Sequence, residues 1–248
     1  MKVIYGKIQN LQFVDGIVGD LPKLRSQATA TALVSMFAES GGMGAAATLS
    51  GINGFPGYYI HFEIDGVVFY AAFTGIFFKE GEAVYVVYDE DIEQNFNVLA
   101  IMNKNNQLLG MVVPFGHTVA ISDKAHNKNT LFMYVGINTL MALGLIFLGF
   151  DLFLFLSGLI IFAIIISFLG ESIKKQFRGY AQESERIYKI LGVKDIDALN
   201  KALIKNDPQP YEDKETDRVY EDVHDYTQFL DYDPQPLVDV KTDESHLR

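Results

Sequence analysis

The chain contains no cysteine, which rules out a disulfide framework, a thiolate nucleophile and thiolate metal ligands. It also lacks an excess of positive charge: 20 Lys and Arg stand against 31 Asp and Glu, a formal net charge of −11. A chain of that sign is a poor partner for nucleic acid. The charge is unevenly spread, because residues 207–248 hold 13 acidic and four basic residues and so carry −9 of the total. Catalytic signatures are missing too. No GxSxG elbow, kinase set or dinucleotide fingerprint occurs. The histidines His61, His117, His126, His224 and His246 are scattered without an HExxH pair, so no metal site is expected. Asp89, Glu90, Asp91 and Glu93 cluster after a strand, but a catalytic carboxylate pair needs one member in a desolvated pocket and this run is polar throughout. The glycine-rich stretch 41–57 lacks the Lys-Ser/Thr ending of a phosphate-binding loop. Neither an enzyme nor a cofactor is expected.

What the sequence does have is two long runs without charge, residues 131–150 and 152–170, separated only by Asp151. A helix rising 1.5 Å per residue needs roughly 20 apolar residues to cross about 30 Å of hydrocarbon. The alternative, a helix pair in a large soluble core, seldom supplies two neighbours that are apolar all round. The expectation is a transmembrane helical hairpin in contact with the lipid bilayer. Asn138 is the strongly polar side chain at depth, and with the small residues Gly144 and Gly158 it is a candidate for helix–helix contact. A polar pore lining is the functional alternative for Asn138, although the lack of any ionisable residue in the spans argues against an ion or proton path. Lys124 and Lys128 precede the hairpin; Lys174, Lys175, Arg178, Arg186 and Lys189 follow it; the connection at 149–151 has no basic residue. Both termini are therefore expected in the cytoplasm, on one side of a multi-pass membrane protein. Residues 1–7 begin like a strand, with no apolar core before a cleavage site, so no signal peptide is expected.

Upstream, residues 3–14 read as a strand closed by Asp15-Gly16. Residues 58–64 and 67–73 flank Asp65-Gly66, a strong hairpin signal. Further strands are expected at 83–88, 98–102 and 108–113. That spacing suggests a small antiparallel barrel of SH3-like or OB-like size within residues 1–120, interrupted by a small-residue insertion at 28–57. Downstream, residues 171–206 read as cytoplasmic juxtamembrane helices, the first ending at Gly192 and the second, 196–204, capped by Asp195. The remainder, 207–248, repeats Asp-Pro-Gln-Pro at 207–210 and 233–236. It is acidic and short of aliphatics, so disorder is expected. Tyr211, Tyr220, Tyr226 and Tyr232, interleaved with acidic residues, are its candidate partner contacts. The fold class expected is thus an α+β membrane protein: barrel, hairpin, juxtamembrane helices and acidic disordered tail.

Several stretches carry a family resemblance. They are Gly6-Lys7-Ile8-Gln9-Asn10-Leu11, the hairpin Ile60-His61-Phe62-Glu63-Ile64-Asp65-Gly66, Phe78-Lys79-Glu80-Gly81-Glu82-Ala83-Val84, the two apolar helices, and Ile187-Tyr188-Lys189-Ile190-Leu191-Gly192. In these and in the order of its parts the chain resembles bacterial membrane proteins assigned as type VI secretion system effectors in Acinetobacter and its relatives. The likeness spans most of residues 1–205; the acidic tail departs from the pattern, and none of the motifs is catalytic. The resemblance implies a role in interbacterial competition, with a toxin or secretion component as protein partner. Two roles follow from it: an immunity or accessory protein that binds its partner at the cytoplasmic membrane face, or a membrane-inserting effector; a housekeeping membrane adapter with no link to secretion is the alternative outside the resemblance.

Overall fold

A computed structural model describes residues 1–18, 55–90, 96–112, 115–148 and 152–236. The insertion expected at 28–57 lies outside them except for its last three residues, which begin a strand. The chain divides into two compact units, one formed by Met1–Gly116 with Ser184–Arg248 and the other by His117–Glu183. Three helices are described, α1 (Val119–Leu148), α2 (Leu152–Ile190) and α3 (Ile196–Asn206).

The first unit is built on a sheet of β1 (Lys2–Lys7), β2 (Gln9–Val18), β3 (Phe55–Ile64), β4 (Val67–Phe73), β5 (Ala83–Glu90), β6 (Phe96–Asn103) and β7 (Leu108–Met111). Its order is β1-β5-β6-β4-β3-β2, with β7 on the C-terminal half of β6. All pairings are antiparallel except the short β4–β6 contact, Phe69 opposite Phe96 and Tyr70 opposite Asn97. Alternation drives the packing: along β3, Ile60, Phe62 and Ile64 are buried on one face, where they meet Phe69 and Phe73 of β4, and Tyr59 is buried on the other. The hairpin between them turns at Asp65 (φ 51°) and Gly66 (φ 77°), the left-handed pair that an Asp-Gly turn supplies cheaply. A short aromatic cluster, Phe62, Phe69, Phe73, Phe77 and Phe78, fills the space beneath.

The single strand expected at 3–14 is two strands. Between them Ile8 is fully buried, its N–H donating to Glu82 O at 2.9 Å and its carbonyl accepting from Gly81 N at 2.8 Å. Asn10 takes φ 51°, and the register shifts between Gln9 and Gln12. This bend sends β1 to pair with β5 and β2 to pair with β3, so one continuous stretch supplies both ends of the ladder. No rung joins β1 to β2. The closed SH3-like or OB-like barrel expected from the spacing is therefore corrected to an open, antiparallel-rich sheet.

The tail, expected to be disordered over 207–248, is a second correction as far as residue 236; residues 237–248 lie outside the described residues. Residues 207–236 are ordered: β8 (Tyr211–Asp213) and β9 (Arg218–Tyr220) pair as a two-stranded sheet, and β10 (Val223–Asp225) extends the main sheet antiparallel on β7. Tyr220, Val223, Tyr226, Phe229 and Leu230 are buried. The tail's average composition predicts disorder, but five apolar residues within 11 positions make a local face able to offset chain entropy. Two close approaches seat it. The Tyr220 ring occupies the space that a Cβ on Gly75 would need, and the carbonyl of Gln235 lies 2.5 Å from where a Cβ on Gly192 would be. Gly192 itself ends α2 at φ 96°, as a left-handed C-terminal residue should. The α3 helix has the expected start, Asp195 Oδ1 accepting from Ala198 N at 2.9 Å, and it buries Leu199 and Leu203.

Candidate membrane-facing site

The second unit consists of α1 and the greater part of α2, packed antiparallel. Asp123 of α1 receives two bonds from the Arg178 guanidinium, Nε to Oδ1 at 3.0 Å and Nη2 to Oδ2 at 2.6 Å. Lys174 Nζ reaches Asn127 Oδ1 at 3.3 Å and lies 4.0 Å from Asp123 Oδ2. The His126 ring stands 5.0 Å from that of Phe177. Further along, Thr130 packs on Gly170, and the Tyr134 hydroxyl donates to Ala163 O at 2.8 Å with Ser167 Oγ 3.0 Å away. Met141 Cε sits 2.8 Å from the Cβ position of Gly158. The partners sum to nearly the same residue index throughout, which is the register of two antiparallel helices in continuous contact. The Arg178 guanidinium holds the Asp123 carboxyl below the usual carboxylate range, chiefly through that hydrogen bond.

The outer faces of this pair are apolar and uncovered. Leu131, Phe132, Val135, Leu140, Ile160, Ile161, Ile164, Phe168 and Leu169 are exposed, Phe168 at 76% and Leu140 at 70%. Each large side chain left in water forgoes roughly 1.5–3 kcal/mol of transfer free energy. Among the described residues one helix segment, Ser157–Ile190, is long and apolar enough to cross a membrane, and only 6% of its most apolar window is buried. The two spans expected at 131–150 and 152–170 thus reduce to one by this measure. Side chains of 144–148 and 152–156 and residues 149–151 lie outside the described set.

Of the helix-contact candidates, Gly158 lies against α1 and makes room for Met141. Asn138 does not reach across: its Nδ2 donates to Tyr134 O, one turn back on α1, at 2.7 Å. Gly144 lies on α1 among residues whose surroundings are not described. The polar link that sequence reasoning missed is Tyr134. Only its place one turn before Asn138, inside an apolar run, could have drawn attention to it.

The tail tyrosines divide. Tyr220 and Tyr226 are buried within the chain's own first unit, Tyr211 is half-buried, and Tyr232 is exposed. Tyr220 donates to Asp213 Oδ2 at 2.8 Å. Beside it lies a buried carboxylate that the sequence did not single out. Asp222 accepts from Thr74 N at both oxygens (3.1 and 3.0 Å), and its Oδ1 lies 2.5 Å from Thr74 Oγ1. Burial raises its pKa to about 7 despite these donors. A cleft of about 370 Å³ opens next to it, lined by Asp15, Phe55, Thr74, Arg218 and Glu221 among others. Arg218 stacks near the Tyr58 ring and bonds its hydroxyl. The acidic run of 89–93 is described only as far as Glu90, whose carboxylate bonds Lys2 at the surface, Nζ to Oε2 at 2.9 Å.

Comparison of the chain with protein-family models, curated proteins and solved structures finds no match.

Proposed function

We propose that this chain is a membrane protein whose helical pair crosses a bilayer twice. It holds the sheet unit at the cytoplasmic face of a bacterial inner membrane, and it acts by binding, as an immunity or accessory protein associated with type VI secretion. The observation that carries the reading is the apolar window within Ser157–Ile190, of which only 6% is buried. Connectivity supports a second crossing. Strand β10 pairs with β7 in one sheet, so the chain leaves the first unit at Gly116 and rejoins it at Ser184. A segment that crosses between those points has to cross back, and α1 is the other long helix there. The basic residues flanking both helix ends support cytoplasmic orientation.

The link to secretion rests on the family resemblance alone. Tyr232, with its ring exposed, is the tail tyrosine best placed to meet a partner. The test is inducible expression in a laboratory bacterium, with carbonate extraction of membranes and growth and membrane potential followed together. The chain is expected in the carbonate-resistant pellet, with growth unaffected and protection against the product of a neighbouring toxin gene. Arrest with depolarisation would replace immunity by an effector role. Recovery in the soluble fraction would overturn the membrane reading itself.

A further inference from the structure

We propose that the basic side chains at the open end of the helical pair, Lys124, Lys128, Lys174, Lys175 and Arg178, form a positively charged collar in which Lys124, Lys128 and Lys175 bind the phosphates of anionic phospholipid headgroups. This rests on the membrane reading above and adds which lipid the protein prefers. The residues share one height. Asp123 stands opposite Arg178 and Asn127 opposite Lys174, and at 1.5 Å of rise per residue each helix spreads its cations over about 6 Å. That band begins within four residues of where the charge-free runs end on both helices, the depth at which headgroup phosphates meet a spanning helix.

The collar divides its work. Arg178 and Lys174 turn inward to Asp123 and Asn127 and tie the two helices together. Lys124, Lys128 and Lys175 are exposed. The ammonium of Lys128 lies 5.9 Å from the centre of the Phe132 ring, which sets its charge against the first turn of the apolar run. Asp123 and Glu171 are the acidic residues in the band, against five cations. The local sign is therefore opposite to that of the chain as a whole at −11. An acidic protein is repelled by an anionic leaflet, and cations at the leaflet offset that repulsion within a Debye length. The apolar surface continuous with the collar selects a lipid phosphate over a soluble polyanion, because only a bilayer satisfies both at once.

The test reconstitutes the full chain into phosphatidylcholine vesicles containing about 30% phosphatidylglycerol. The motionally restricted fraction of spin-labelled phosphatidylglycerol is compared with that of spin-labelled phosphatidylcholine. The comparison variant, K124Q/K128Q/K175Q, leaves the Asp123–Arg178 pair in place. The chain is expected to favour phosphatidylglycerol several-fold. The preference should fall towards unity in the variant, and in the unaltered chain at about 0.5 M salt. Equal preference for the two lipids in the unaltered chain, or the same preference in the variant, overturns the collar while leaving membrane insertion standing. Failure of the chain to float with vesicles of either composition overturns the membrane reading, and the collar with it.

Discussion

Asp222 shows how a single residue ties the tail to the sheet. Its carboxyl receives the Thr74 N–H and lies against the Thr74 hydroxyl, yet burial outweighs those donors and raises its pKa from 3.8 to about 7. A carboxyl with a raised folded-state pKa favours folding in its protonated form. Its contribution is complete below the unfolded value, near 3.8, and is lost as pH rises through about 7. Unfolding followed by tyrosine fluorescence, which no tryptophan obscures, should therefore show stability declining across that window. Asp222→Asn keeps an acceptor for Thr74 N and should flatten the decline. Asp222→Ala leaves Thr74 without its partner and should cost about 1–3 kcal/mol at acid pH. A slope unchanged in the Asn variant would assign the titration to another group.

At the scale of elements, the sequence was legible wherever a local signal had no competitor. Asp65-Gly66 made its hairpin, Asp195 capped α3, and Gly192 ended α2. It was misleading where distant partners decide. Residues 3–14 have strand composition throughout, and only the fit of Ile8 between Gly81 and Glu82 breaks them into two strands with different neighbours. The tail misleads for the same reason: its averaged charge hides the apolar face that docks beside β7. Two predictions follow from these elements. Gly192→Ala meets both a φ of 96° and the Gln235 carbonyl at 2.5 Å, so it should destabilise the first unit by about 1–3 kcal/mol, read as a lower Tm. Truncation after Asn206 strips β10 from β7 and should abolish the cooperative unfolding transition of that unit; a truncated chain that still unfolds cooperatively would restore the tail to dispensability. In the helical pair, Tyr134→Phe removes the bond to Ala163 O and should cost about 0.5–1.5 kcal/mol in a detergent unfolding titration, without loss of secondary structure.

For the molecule as a whole, the charge-free runs and basic flanks on which the membrane proposal rests are legible from sequence. The joining of residues on both sides of the helices into one unit was not, because strand pairing across more than 100 residues leaves no local trace: Leu109 and His224 are opposite one another. That pairing is what turns one apolar helix into an argument for two crossings, and side-specific labelling tests it most directly. The chain has no cysteine of its own, so single cysteines can be placed at Asn105 in the β6–β7 turn, Glu215 in the β8–β9 turn, and Asp151 between the apolar runs. With a membrane-impermeant maleimide applied to intact spheroplasts, Asp151→Cys should be labelled, whereas Asn105→Cys and Glu215→Cys should react only after lysis. Labelling of Asn105→Cys and Glu215→Cys from opposite sides, or protection of Asp151→Cys together with both, would contradict the two-crossing account.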